Sequence, residues 1–592
     1  MPETIMSVLE RTAREHGDRP AMRVKNGGRW ETTTWKEYRD QTYLAARGFI
    51  HLGLQPRQGV AIMGFNRPEW FLADLGAIAA GGFPAGIYVT NTADQSQYIA
   101  DHAEAAVAVL ENTHYLTLFQ QIRDRLPHLK AIVLMTGAVP EGAGEAVYSW
   151  DQLLEMGAQV PESELRRRIE DQKPSDLCTL IYTSGTTGPP KAVMLTHDNV
   201  TWTAKCLVDA YGVNALDDLI SYLPLSHIAE QVVSLHSPMA VGACSWFAES
   251  IEKLGENLRE VRPHFFLAVP RVWEKMQAAI QAAGAQNTGL KKKISAWARG
   301  VGLAGGRAEQ EGRPKPILYP LANQLVFTKV REKLGLDRAR VAATSTAPIS
   351  VETMEFFSSL GIPILEVYGM SECTGPTTFS MPDRYRFGSV GRAIPGSELK
   401  TAEDGEVLMR GPHVFPGYFK SEEATAEMLD AEGWLHSGDI GEIDAEGFLK
   451  ITDRKKELII TSGGKNIAPS IIESKLRQIP AVSQAVVIGD RRHYLVALLT
   501  LDPTRAADQA KAAGSPATTT EAMSTCPKFR QYLEKAVEGV NTTLARYETI
   551  KKFVILPREL SIAEGELTPT MKLKRRVVNE RFAQEIEGLY AG

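Results

Sequence analysis

The chain has 592 residues, more than one hydrophobic core organises, so two or more domains are expected. A composition of 44% hydrophobic and 23% charged residues excludes a disordered or fibrous protein. With 66 Lys and Arg against 71 Asp and Glu, the net charge of −5 is a poor footing for nonspecific nucleic-acid binding.

Helical spacing of Ile5, Met6, Leu9 and Ala13 predicts a first helix over 4–16, and Thr34-Trp35-Lys36-Glu37 opens a second that runs to about 52. Residues 59–63 read as a short buried strand, 68–80 as a helix ended by Gly81-Gly82, and 105–110 and 131–135 as further strands. Strands alternating with helices imply parallel sheets in an α/β domain. The run 262–275 holds a strand and a helix start, where Phe266 and Trp273 line either a greasy tunnel or the core. Lys291-Lys292-Lys293 precedes Ile294, Trp297 and Val301 at helical spacing, which is either a solvated basic face or a surface helix for an anionic membrane. Residues 510–520 read as a loose loop.

The five cysteines, Cys178, Cys206, Cys244, Cys373 and Cys526, are scattered and form no C-x-x-C, so a reducing compartment fits better than a disulfide framework or zinc site. Neither a signal peptide nor an apolar run of about 18 residues is evident. The expectation is a cytoplasmic protein, with peripheral contact to a membrane's inner face left open.

Chemistry concentrates first between two strand-like runs, 177–182 and 192–196. Thr183, Ser184, Gly185, Thr186, Thr187 and Gly188 lead through two prolines to Lys191. Hydroxyls, one cation and glycines that let backbone N–H groups approach closely make a polyphosphate cradle. A Walker A loop is excluded, because Pro190 precedes Lys191 and Ala192 follows it. Ser-Gly-Thr-Thr-Gly-x-Pro-Lys resembles the phosphate loop of the adenylate-forming superfamily, which includes acyl-CoA synthetases, peptide-synthetase adenylation domains and luciferases. Residues 64–71, 86–91 and 269–272 look like the long-chain acyl-CoA synthetases, the first two like the bubblegum-type group.

The resemblance implies an α/β fold: a large N-terminal domain, 1–455, of αβ subdomains with parallel or mixed sheets plus a β-subdomain, and a small mobile α+β C-terminal domain, 456–592. It also implies roles. His227, after Leu223-Pro224-Leu225-Ser226, borders the carboxylate end of the acyl pocket. Ser345, Ala347 and Pro348 hold adenine by backbone contact, although relatives often have Gly where Ser345 stands. In Tyr368-Gly369-Met370-Ser371-Glu372 the ring stacks on adenine, Ser371 keeps a hydroxyl for the α-phosphate, and Glu372 offers Mg²⁺ a hard oxygen, with Thr183 near the metal. Asp439 accepts the ribose hydroxyls and Arg454 reaches ribose and phosphate. Lys456 is the hinge, Gly463, Gly464 and Lys465 form the CoA-side turn, and Lys572 is the catalytic lysine, with Met571 where relatives usually have Gly.

The implied activity is ATP- and Mg²⁺-dependent ligation of a long-chain fatty acid to CoA through an acyl adenylate. Transfer to a carrier protein and a non-catalytic nucleotide scaffold are the competing readings; retention of Lys572 and Glu372 speaks against the scaffold.

Overall fold

The computed structural model describes residues 3–183, 189–462, 465–568 and 571–591. Among these, two large mixed sheets and one antiparallel sheet build the N-terminal part, and a separate small sheet organises the C-terminal part. The eight-stranded sheet is centred on Gly59–Met63, which pairs in parallel with Phe83–Ile87 and Ala105–Leu110. All three strands are buried along their length, as continuous apolar runs are when helices cover both faces. Toward one edge Leu177–Thr183 pairs antiparallel with Lys191–Thr196, so Thr183 stands opposite Lys191. The predicted cradle residues 184–188 lie outside the described residues.

In the nine-stranded sheet Cys244–Phe247, Asp218–Ser221, Phe265–Ala268, Val341–Thr344 and Ile364–Met370 run in parallel. Their C-terminal ends lead into the segments of 222–227, 345–348 and 371–372, where open α/β sheets place ligands. The four-stranded antiparallel sheet of 398–454 closes this part and sets Asp439 opposite Arg454.

The predicted helix starts have local causes. Thr34 caps Trp35–His51: its hydroxyl accepts from the Glu37 N–H while the Glu37 carboxylate accepts from the Thr34 N–H. Pro68 occupies the first turn of Pro68–Ala79, where its missing N–H has no intrahelical partner to lose.

Beyond Arg454 the chain turns through 455–457 into a short hairpin, Ile459–Ile460 with Asn466–Ile467. The strand expected over 457–461 therefore shrinks to two residues, because Glu457 and Leu458 both bond back to the Arg454 carbonyl in a turn. Val482–Ile488, Leu495–Leu501 and Ile550–Ile555 make the small domain's sheet over its own apolar cluster. The loop expected over 510–520 is partly helical: Pro503–Ala512 buries Ala510, and Thr520–Thr525 follows.

Two aromatic readings resolve as core. Phe266 and Trp273 are fully buried, edge-to-face at 5.4 Å, and the Trp273 indole N–H donates to the Ala343 carbonyl. Trp297 and Val301, from the stripe that follows Lys291-Lys292-Lys293, are partly buried against Phe327 and Tyr319.

Candidate active site

A cleft of about 2000 Å³ opens between the two domains. Most predicted site residues line it: Thr183, His227, the 345–348 turn, Tyr368 to Glu372, Asp439, Arg454, Lys456 and Lys572.

The Tyr368 hydroxyl donates to Asp439 at 2.7 Å, and the Arg454 guanidinium lies 3.3 Å from the other Asp439 oxygen. Three residues drawn from three separate motifs thus form one unit, joined by a hydrogen bond and an ion pair, with an aromatic face and a carboxylate. Gly369 is obligatory here, since a Cβ would sit 1.7 Å from the Gly375 carbonyl oxygen across the hairpin. In the 345–348 turn the unusual backbone falls on Thr346, with φ of 75°, and not on Ser345, where relatives often carry Gly.

Glu372 is buried, and its carboxylate accepts the Tyr418 hydroxyl at 2.6 Å. Tyr418 pairs across the sheet edge with Val193, two residues past Lys191, and the Lys191 ammonium sits 5.0 Å from the centre of its ring. One tyrosine therefore meets both the Glu372 carboxylate and Lys191. Burial and the Glu372 charge push its phenol pKa far up, so it stays a donor. The remaining Glu372 oxygen suits a hard cation, and among the described residues no cluster of three His, Cys, Asp or Glu offers an all-protein metal cage. That donor set fits Mg²⁺, which takes one or two carboxylates and completes its shell with phosphate and water oxygens.

Lys572 enters the same cleft from the small domain. Burial, and then the nearby Arg454, lower its pKa to about 8, against the opposing pull of Asp439 and Glu372. Met571 before it has φ of 63°, the left-handed region where Gly is the usual residue. Behind the loop, Arg575 donates to Glu473 at 2.7 Å and to the Val487 carbonyl, and lies 3.6 Å from Glu457 in the turn of 455–457.

His227 accepts the Ala229 N–H on Nδ1, which leaves Nε2 to carry the proton of the neutral ring. Burial and the Lys572 charge lower its pKa to about 4. From here an apolar branch runs between the 197–211 helix and the nine-stranded sheet, walled by Leu207, Val232, Val233, Phe265 and Phe379. Tyr211 stands in it with Phe265 and Phe379 at 5.5 and 5.3 Å, its hydroxyl tied to the Ser380 carbonyl.

A family model described as AMP-binding enzyme matches residues 9–419. The chain belongs to the AMP-binding enzymes. A second model, the AMP-binding enzyme C-terminal domain, matches 456–592 of this AMP-binding enzyme. It is similar to the long-chain-fatty-acid–CoA ligase ACSBG2 of Xenopus laevis, 44% identical over 627 residues that cover 100% of this chain and 84% of that protein. The ligase of the same name from Homo sapiens is 38% identical over 618 residues, covering 100% and 92%. Among solved structures, the adenylation domain of a carboxylate reductase from Mycobacterium chelonae aligns with a TM-score of 0.78 at 21% identity, covering 100% of this chain and 91% of that one. The anthranilate CoA ligase AuaEII, in complex with anthranoyl-AMP, aligns at 0.74 and 19%, covering 99% and 98%. Both structural likenesses speak for the fold.

Not every predicted site residue of this AMP-binding enzyme meets the others. Gly463 and Gly464 lie outside the described residues. Lys465 is not in the cleft; its ammonium lies 5.8 Å from the Tyr547 ring. Three functional candidates escaped the sequence reading. Tyr418 sits in an unremarkable Gly-Tyr pair. Glu366, two residues before Tyr368, lines the cleft with burial raising its pKa to about 8. Glu230 accepts from Ser221, Ser234 and the Tyr222 N–H, and Asn66 donates to Ser221 and to the Leu223 carbonyl. That network fixes the loop that presents His227, and it gives Asn66 of the 64–71 segment a physical purpose.

Proposed function

We propose that this chain ligates long-chain fatty acids to CoA, with ATP cleaved to AMP and pyrophosphate. The carboxylate oxygen attacks the α-phosphorus, the bond to the β-phosphate oxygen breaks, and an acyl adenylate forms. Negative charge accumulates on nonbridging oxygens, so catalysis is mostly positioning and charge stabilisation. Lys572 donates to those oxygens, with Ser371 beside it. His227 donates from Nε2 to the fatty carboxylate. The 183–188 loop and Lys191 cradle the leaving phosphates. Tyr368 and the 345–348 turn hold adenine, while Asp439 and Arg454 hold ribose. Glu372, with Thr183, would hold Mg²⁺, which would supply neutralisation of the polyphosphate charge. The apolar branch selects the tail, each buried CH₂ being worth roughly 0.8 kcal/mol.

In the second step the domain of 456–592 turns about Lys456. Lys572 withdraws, the turn of 463–465 arrives, and the CoA thiolate attacks the acyl carbonyl as AMP leaves.

The observation that carries this reading is the convergence of Lys572, Arg454, Asp439 and Glu372, from both domains, on one cleft that continues into an apolar branch. Pyrophosphate release on mixing palmitate, ATP and Mg²⁺ tests it. Lys572→Ala should slow that release by about 10²–10³, as loss of one preorganised donor does, and leave thioester formation from supplied acyl adenylate largely intact. Unchanged pyrophosphate release by the variant would remove Lys572 from the chemistry.

A further inference from the structure

The strongest unexplained surface lies far along the chain from the cleft residues, on the segment 289–333. The helix Gly289–Gln310 packs through Ala298, Gly302, Gly305 and Gly306. The chain then returns alongside it in the opposite direction, with Tyr319 against Gly305 and Phe327 against Gly302. On this returning segment Leu318, Leu321 and Leu325 recur at one-face helical spacing, yet they are 50%, 45% and 43% exposed. Ile317, set in a Pro-x-x-x-Pro stretch between Pro316 and Pro320, is 96% exposed. Single exposed leucines are ordinary, but an ordered stripe led by a projecting isoleucine is an apolar face without a partner among the described residues.

The segment that carries it is strongly basic. Residues 289–333 carry ten Lys and Arg and three Glu, a net charge of +7 within a chain of net −5. Lys329 extends the stripe by one turn. The antiparallel return brings the basic start of the first helix, exposed Leu290 and Lys291, Lys292 and Lys293, toward that same end. Among the described residues none of these four lysines forms a salt bridge, whereas Lys315 and Arg313 are paired with Glu309 and Glu311.

We propose that this face docks on an anionic lipid bilayer, Ile317, Leu318, Leu321 and Leu325 entering the headgroup–acyl boundary while Lys291, Lys292, Lys293 and Lys329 meet lipid phosphates. Apolar insertion rimmed by unpaired lysines is the chemistry of an interfacial anchor. A protein partner of ordinary interface character would have fewer lysines at its edge. No helix among the described residues is long and apolar enough to cross a membrane, so the contact is peripheral. The proposal stands independently of the cleft's chemistry.

Flotation of the full-length protein with phosphatidylcholine vesicles, with and without phosphatidylglycerol, tests it. Binding is expected to the anionic vesicles only and to weaken with added salt. Changing Lys291, Lys292 and Lys293 together to Gln should weaken partitioning by about a hundredfold. Leu318→Ser with Leu321→Ser should also release the protein, at unchanged melting temperature and with unchanged ligase activity on a water-soluble shorter acid. Equal binding to both vesicle types, binding unaffected by either variant, or no binding at all would overturn the proposal. So would a wild-type dimer that the leucine variant converts to a monomer, which would assign the face to a second copy of this chain.

Discussion

At the scale of single residues, the site depends on side chains that hold other side chains. Tyr418 is the clearest case, because its hydroxyl fixes Glu372 and its ring faces Lys191. Tyr418→Phe keeps the ring and frees the carboxylate. It should raise the Mg²⁺ concentration needed for half-maximal nucleotide binding several-fold in calorimetry, while binding of AMP without metal stays near wild type. Equal Mg²⁺ dependence in both proteins would reduce Tyr418 to core packing. If Lys572 acts as proposed, it should set the pH behaviour of the free enzyme. Its pKa is lowered to about 8, so it is charged below that value and loses its proton as pH rises through it. kcat/KM for ATP, which reports the free enzyme, should therefore fall above pH 8 with one descending limb. Lys572→Ala should lack that limb at its lower rate. His227, lowered to about 4, stays neutral throughout the range and adds no limb near 6.5.

At the scale of elements, the sequence was informative wherever a pattern was local. The run Gly59–Met63, the helix start at Thr34 and the two strands flanking residues 184–188 follow from apolar runs and short-range hydrogen bonds, and each stands where its residues predict. The motifs around Tyr368, Asp439 and Arg454 were also legible, because resemblance marked them. Contacts between distant segments were not. Nothing in residues 64–71 announces that Asn66 will reach Ser221, 155 positions away. Likewise Phe266 and Trp273 have the composition of a tunnel wall, and only the packing of the sheet against its helices assigns them to the core. The apolar branch is built the same way, from the last turn of the helix His197–Tyr211 and two strands. Tyr211→Ala should lengthen that branch. Preference in a series of saturated acids should then move toward longer chains, by about fourfold in kcat/KM for each added methylene that the new space buries. A preference that fails to move would exclude Tyr211 from the tail's path.

At the scale of the whole molecule, the two domains meet over the cleft, and the chain passes between them once, through the turn at 455–457. Lys456 is exposed there. Lys456→Pro would stiffen that turn and should separate the two half-reactions: pyrophosphate release near wild type, thioester formation reduced by at least tenfold. Equal loss of both would mean that the turn serves folding and not rotation. Arg575 gives this arrangement a further property. Its guanidinium grips Glu473 and the Val487 carbonyl inside the small domain and lies close to Glu457 of the turn. The Lys572 ammonium, proposed to be catalytic, is thus mounted three residues from a rivet that also reaches the turn proposed as the pivot. Lever and tool are one piece, so the angle of the small domain sets where Lys572 stands, with little slack between them.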